Sequence, residues 1–206
     1  WQLEKPLANI EKADHKYGML FEGINAFYDI SKEDRYKNEL LNIYQYEEEV
    51  ESEALSLENL IWHFNLGDDR TVLSRLNALG TEDLEKINAE IKVVTLSKLL
   101  TLINEDDNIE KKKLNQLYLK HADQVLKEKR EYKDFSQIYT NALSVYTIAK
   151  GINDGIIIID HKEKTIKSWQ LLTKHLLDKK YRNSEWNIGI TGALLLASNE
   201  IYNLLD

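Results

Sequence analysis

Residues 114–149 have the sequence LNQLYLKHADQVLKEKREYKDFSQIYTNALSVYTIA, the most regular stretch of the chain. Apolar and aromatic side chains dominate positions that are separated alternately by four and three residues: Leu114, Tyr118, His121, Val125, Glu128, Tyr132, Phe135, Tyr139, Ala142, Tyr146 and Ala149. A mean spacing of about 3.5 residues is typical of helices that pack along their length. Because this stretch contains no Gly or Pro, we predict one helix of about forty residues over 109–150, with a kink near 128–132 as the alternative.

The N-terminal part of the chain shows the same alternation. Its first positions are Leu3, Leu7, Ile10, Asp14, Tyr17, Phe21, Ile24 and Tyr28. A second segment over 36–64 repeats the pattern, and the polar residues 31–34 between the two can end one helix and start the next. We therefore predict an antiparallel pair of helices. A further helix is expected over 81–103, with Leu100 on its inner stripe.

Two more helices are predicted near the C-terminus. The first runs from about Thr165 to Leu177 and has an apolar stripe formed by Trp169, Leu172 and Leu176. The second begins at Ser184, extends through Leu205 and is apolar on nearly every side. A helix of that kind is central in a protein or is covered by a partner. Gly189 and Gly192 lie one turn apart in it and would let a neighbouring helix approach closely.

Residues 151–168, GINDGIIIIDHKEKTIKS, interrupt the helical period. We expect Gly151 to end the long helix. Four consecutive isoleucines favour an extended conformation, so we predict an extended or hairpin insertion that pairs 156–159 with 165–168. Connections that interrupt a rigid scaffold often carry binding residues. The candidates for partner binding are Asn153, Asp154, Ile156, Ile158, Asp160 and His161.

The composition agrees with an all-α fold. Eight Gly and one Pro in 206 residues are too few for the many tight turns of a sandwich or barrel. We predict an antiparallel helical bundle with long, heptad-patterned helices and a single domain over 1–206. A division into a helical hairpin over 1–66 and the remaining helices over 67–206 is the alternative.

Charge argues against nucleic acid as the partner. The net charge is −8, whereas affinity for phosphate backbones comes from lysine and arginine. Residues 1–110 carry 11 basic and 24 acidic side chains, and residues 111–206 carry 16 and 11. Attraction between the two halves within one fold explains this asymmetry most simply. A basic surface for an anionic partner is the alternative, with candidates in 111–113 and 179–182.

Motifs for catalysis or metal binding are absent from the sequence. The lack of cysteine excludes disulfides, thiolate metal sites and cysteine nucleophiles. No histidine has glutamate three residues before it, as the diiron sites of helical bundles require. His-Glu-x-x-His, glycine-rich phosphate loops and Gly-x-Ser-x-Gly are also missing. We therefore expect no cofactor, no bound metal and no catalytic residue.

Four polar residues nevertheless occupy heptad positions: Asp14, Glu47, His121 and Glu128. If the bundle held a metal or a catalytic site, these side chains would be its ligands. Ordinary structural roles are favoured for all four. Carboxylates at such positions usually reach water or a basic neighbour, and a lone histidine is usually a hydrogen-bonded core residue.

The sequence favours a non-enzymatic helical interaction or sensory domain with a protein or peptide partner. The first residue is Trp1 and not methionine, as expected of a processed or partial chain. The domain could then be the extracytoplasmic part of an anchored bacterial protein, attached to the membrane only through a segment outside this sequence. The compartment stays open, with an extracytoplasmic location slightly favoured, and so does self-association. A cytosolic regulator that binds through its basic half, or an enzyme with a carboxylate site in the bundle, are the alternatives.

Overall fold

The computed structural model describes residues 15–35, 38, 96, 100, 108–127, 135–177 and 188–206. These residues form five α-helices, numbered here in chain order: α1 His15–Ser31, α2 Asn108–Lys127, α3 Phe135–Asn153, α4 Lys162–Leu176 and α5 Ile188–Leu205. One turn of 3-10 helix, Ile159–His161, precedes α4. The described part of the chain contains no strand, so the predicted all-α class with packed helices is confirmed.

The core lies where α3 and α5 pack against each other. α5 is buried over most of its length, which confirms that the last helix is central. All residues from 141 to 149 of α3 are buried as well. That burial extends beyond the predicted stripe, because it includes the polar residues Asn141, Ser144 and Thr147. The Ser144 hydroxyl donates to the Thr140 carbonyl at 2.8 Å, so its polar group is satisfied within the helix.

The single helix predicted over 109–150 is wrong, since α2 and α3 are two helices packed side by side. The Tyr118 hydroxyl of α2 donates to the Thr147 carbonyl of α3 at 2.5 Å. One straight helix would hold these residues roughly 43 Å apart, at about 1.5 Å per residue. Residues 128–132, where the alternative placed a kink, lie outside the described residues.

Glycine permits the close contact between α1 and α5. A β-carbon at Gly192 would lie 2.7 Å from the backbone nitrogen of Leu20, and one at Gly23 would lie 2.7 Å from the β-carbon of Leu195. Contacts this short are repulsive, so both positions require a residue without a side chain. The predicted close approach of a neighbouring helix at Gly192 is therefore confirmed.

The buried face of α1 differs from the predicted one. Met19, Leu20 and Ile24 are buried, whereas Phe21 is only half-buried. The spacing of apolar residues identifies Ile24 but not Gly23, because glycine carries no apolar side chain. Gly23 lies at the contact with α5. The face of α1 that meets the core is therefore rotated toward Gly23, relative to the predicted face. α1 ends at Ser31, in agreement with the predicted connection over 31–34.

Gly151 does not end the helix, contrary to the prediction, because α3 continues to Asn153. The terminator is Gly155, whose φ of +70° lies in the left-handed region. The Gly155 N–H donates to the Ile152 carbonyl at 3.0 Å, and the Ile156 N–H donates to the Gly151 carbonyl at 2.8 Å. This pair of hydrogen bonds is the Schellman motif, in which glycine is the preferred residue.

The predicted extended or hairpin insertion over 151–168 is also wrong. Residues 156–158 form a short bend, and the segment that was expected to pair with 156–159 belongs to α4. α4 begins at Lys162, three residues before the predicted start, and buries Leu172. Trp169 and Leu176 pack against the same core, as the predicted stripe requires.

Other predictions fall on residues that the structure does not describe, including the helix over 36–64 and most of that over 81–103. Within the latter, Leu100 is buried as predicted, and Leu96 is buried without having been predicted. The antiparallel order of the helices and the division into domains stay predictions.

None of the helices in the described ranges combines the length and the apolar character needed to cross a lipid bilayer.

Candidate functional site

The chain that joins α3 to α4 presents two adjacent isoleucines to solvent. We refer to residues 154–161 as the α3–α4 connection. Ile158 and Ile159 in this connection are 65% and 61% exposed, whereas Ile157 directly before them is buried. Single exposed apolar side chains are common on protein surfaces, but adjacent ones form a local patch of the kind found at interaction sites.

The connection is anchored to the core through Ile157. A β-carbon at Gly151 would lie 2.6 Å from the Cδ1 atom of Ile157 and 2.8 Å from the Tyr118 hydroxyl. The absence of a side chain at Gly151 therefore gives both groups their space beside α3. The Ile157 N–H also donates to the Gly151 carbonyl at 2.9 Å. These contacts fix the backbone that carries the exposed pair.

The structure separates the six predicted binding residues into two groups. Asn153 and Asp154 make internal contacts, described below, and Ile156 packs partly against the core. His161 is half-buried, and its carbonyl accepts a hydrogen bond from the Thr165 hydroxyl at 2.8 Å. Ile158 and Asp160 are exposed. Asn153 and Asp154 are exposed as well, but their side chains are engaged in those internal contacts. Of the four exposed members, Ile158 is the apolar one.

Ile159 was missed because the isoleucine run was interpreted as a strand. Side chains of a strand alternate between its faces, so a strand would place 156 and 158 on one face and 157 and 159 on the other. A bend followed by a 3-10 turn has no such period, so the consecutive residues 158 and 159 are both exposed. The run of four isoleucines was the signal in the sequence, but its conformation decides which of them reach solvent.

A second polar site lies where α3 ends beside α5. It contains Asn153 and Asp154 of the predicted set, whereas Lys150 and Glu200 were not predicted. Glu200 of α5 is buried, with 8% of its surface exposed. The Asn153 amide nitrogen donates to the Glu200 carboxyl oxygen Oε2 at 2.7 Å and to the Glu200 backbone carbonyl at 3.0 Å. One turn away, the Lys150 ammonium lies 2.6 Å from the Asp154 carboxylate. A glutamate within an otherwise apolar helix was the available sequence signal.

Burial raises the pKa of Glu200 above its usual value of about 4.5, because the charged carboxylate loses hydration. The hydrogen bond from Asn153 and the positive charge of Lys150 act in the opposite direction, and the negative charge of Asp154 adds to the rise. Loss of hydration is the largest of these effects. A buried carboxyl with a perturbed pKa is a reasonable place to look for function.

The residues predicted as ligands of a metal or catalytic site are mostly outside the described part of the chain, namely Asp14, Glu47 and Glu128. His121 is half-buried on α2, where its Nδ1 atom is within hydrogen-bond distance, 3.2 Å, of Gln124 Oε1. Within the described ranges, no three histidine, aspartate or glutamate side chains lie close enough together to hold a metal ion.

The basic surface proposed from the charge asymmetry is seen only in part. Lys112 and Lys120 are exposed on α2, and Lys127 at its end pairs with Asp123. Residues 179–182 lie outside the described residues. A binding surface for an anionic partner stays a prediction.

No protein-family model matches the chain, and no curated protein matches it significantly in sequence.

Proposed function

We propose that this chain is a non-enzymatic helical interaction or sensory domain that binds a protein or peptide partner through the α3–α4 connection. Its apolar anchors are Ile158 and Ile159. The observation that carries the proposal is the exposure of these two side chains, about two thirds each, directly beside the buried Ile157. The packed helices α3 and α5 serve as the scaffold that positions them.

Burial of the exposed pair would supply useful binding energy. Transfer of one isoleucine side chain from water to an apolar environment is worth about 1.5–3 kcal/mol. Since each side chain is about two thirds exposed, covering both contributes at least about 2 kcal/mol, or roughly thirtyfold in Kd. Each side chain thus supplies about 1 kcal/mol, the level above which an interface residue counts as contributing to affinity.

The rigid backbone beside the pair favours binding further. Ordering a mobile loop on association costs free energy and weakens the complex. Here the Schellman motif at Gly155 and the packing of Ile157 against Gly151 already order the connection. A partner would therefore meet a preformed surface.

Selection of peptides on the wild-type chain tests the proposal. A phage-displayed library of random peptides is panned on the immobilised protein, and the enriched peptides are synthesised for measurements of Kd by fluorescence anisotropy. The double variant Ile158→Ser/Ile159→Ser should bind them roughly thirtyfold more weakly than the wild type. The change is confined to exposed side chains, so the circular dichroism spectrum should not change.

The matched control is Leu171→Ser/Leu177→Ser. It replaces Leu171 of α4 and Leu177 directly after this helix, which are 50% and 64% exposed. This control should bind the selected peptides as the wild type does. Equal binding by all three proteins, an equal loss in both variants, or a library that yields no enriched peptide would each count against the α3–α4 connection as the binding site.

A further inference from the structure

The last turn of α3 is held to α5 by the side chain of Asn153. Its amide nitrogen donates to two oxygens of Glu200, namely the carboxyl Oε2 at 2.7 Å and the backbone carbonyl at 3.0 Å. Asn153 is exposed, whereas Glu200 is buried in the central helix α5. The contact therefore fastens the surface end of α3 to the core of the protein.

The other hydrogen bonds described at this end of α3 are local. The Asp154 N–H donates to the Lys150 carbonyl at 2.9 Å, and the Gly155 N–H donates to the Ile152 carbonyl at 3.0 Å. The ion pair between Lys150 and Asp154 stays within the same segment. These contacts shape the turn, but in the described part of the chain it is Asn153 that joins the turn to α5 by hydrogen bonds.

The link from Asn153 does not depend on the charge of Glu200. A backbone carbonyl does not titrate, and a carboxyl group can accept a hydrogen bond in its neutral form as well as in its ionised form. The asparagine amide has two hydrogens, one for each of the two oxygens. Asn153 can therefore hold α3 on α5 whether or not Glu200 is ionised.

This link lies directly before the segment proposed to bind a partner. The α3–α4 connection starts at the residue after Asn153, and the exposed Ile158 and Ile159 follow a few residues later. Helix ends open locally at little cost unless other contacts hold them. An open last turn would let the exposed pair move, and ordering a mobile segment on association weakens binding.

We propose that Asn153 is a positioning residue of the docking site. By holding the last turn of α3 on α5, it fixes the backbone from which Ile158 and Ile159 reach the partner, while its own side chain stays on Glu200. The inference rests on the function proposed above, because it assigns a role within the same site. The link itself is a property of the free protein and can be measured without a peptide.

Hydrogen exchange measured by NMR on the full chain tests the link. The amides of Gly155, Ile156 and Ile157 donate to carbonyls of the last turn of α3, so their protection reports its opening. In Asn153→Ala, opening no longer breaks the contact with Glu200. Protection of the three amides should therefore fall at least about threefold relative to the wild type.

Two controls separate this local effect from a general one. The amide of Leu177, which donates to the Thr173 carbonyl at the end of α4, should keep its protection in Asn153→Ala. The matched variant is Ser168→Ala, which removes a hydroxyl hydrogen bond to the Lys164 carbonyl within α4. It should leave the protection of the α3–α4 connection and the binding of selected peptides unchanged.

Peptide binding tests the positioning role with an exchange of donor and acceptor. Asn153→Ala and Asn153→Asp both lack the donor, and each should raise the Kd of a selected peptide at least about threefold. In Asn153→Asp/Glu200→Gln, the donor lies on α5 and the acceptor on α3, so the Kd should return close to that of the wild type. A residue that only stabilised the fold would leave Kd unchanged, because unfolded protein is a negligible fraction.

The inference and the proposed function can fail separately. Unchanged protection in Asn153→Ala, an equal fall at Leu177, an unchanged Kd, or no recovery in the double variant would each overturn the positioning role. If Ile158→Ser/Ile159→Ser still loses binding in that case, the proposed function stands. If that variant binds as the wild type does, the proposed function and the positioning role both fail, whatever the exchange measurement shows.

Discussion

At the scale of the residue, Glu200 gives a prediction for the stability of the whole fold. Its pKa in the folded state is raised by burial above the usual value of about 4.5. The unfolded state therefore loses the proton first as pH rises, and the folded state is progressively disfavoured until its own carboxyl has ionised. In urea unfolding, Glu200→Gln should match the wild type at pH values well below 4.5, where both states are protonated, and should become the more stable protein as pH rises above this value.

Glu163 lies exposed in the first turn of α4 and supplies the control. Glu163→Gln removes one exposed carboxyl and sets the baseline, so the pH-dependent gain in unfolding free energy should be larger in Glu200→Gln than in this control. If Glu200→Gln also follows the wild type at every pH, the carboxyl of Glu200 is not buried as described.

Gly155 gives a second prediction at this scale, because a substitution there introduces backbone strain without a packing conflict. A β-carbon there would meet no atom within 4 Å, yet φ is +70°. Left-handed backbone costs a residue with a β-carbon about 1–2 kcal/mol. Gly155→Ala should lower the free energy of unfolding by about this amount, and Gly155→Asn should lower it less, since asparagine tolerates the conformation better. Equal losses would indicate steric conflict instead.

At the scale of the element, the contact between α1 and α5 depends on Gly192. Alanine would gain about 1 kcal/mol in helix propensity at this position. Its β-carbon would lie 2.7 Å from the backbone nitrogen of Leu20, and backbone cannot move aside as a flexible side chain can. We expect Gly192→Ala to destabilise the fold by about 1–3 kcal/mol in thermal or urea unfolding.

Asn203 is exposed on the same helix, and Asn203→Ala is the matched control. It should be neutral or slightly stabilising, because alanine is the better helix former and nothing is displaced. A Gly192→Ala protein as stable as this control would mean that α1 and α5 are further apart than described.

The spacing of apolar residues predicted the helices α4 and α5, whose burial depends on their own apolar pattern. The stripe on α4 and the apolar surface of α5 needed no knowledge of the neighbouring helices. The roles of the glycines did need it. Gly151 gives space to Ile157 and Tyr118, whereas Gly155 ends α3. In the sequence both are a glycine near the end of a helical pattern, so the distinction could not be predicted.

For a related reason, the sequence could not predict that α2 and α3 are two separate helices. A heptad pattern continues through two packed helices as readily as through one, provided that the connection between them keeps the same spacing. The hydrogen bond from Tyr118 to the Thr147 carbonyl, 29 positions apart, excludes the single helix. Nothing local to either residue predicts this contact.

At the scale of the whole molecule, the sequence located the candidate site but not its chemistry. The break in the helical period directed attention to 151–168, and Ile158 was among the residues selected there. Glu200 was not selected, because its importance arises only when α5 lies beside Asn153 at the end of α3. Contacts 47 positions apart depend on the packing of complete helices.

The central claim is that a partner binds at Ile158 and Ile159, and NMR of isoleucine methyl groups tests it most directly. The wild-type chain, labelled at its isoleucine δ1-methyls, is titrated with a peptide selected on it. We expect the largest chemical-shift changes at Ile158 and Ile159, whereas the fully buried Ile138 and Ile148 should change little. Largest changes at Ile30, which is exposed on α1, or at any isoleucine outside the α3–α4 connection would contradict it.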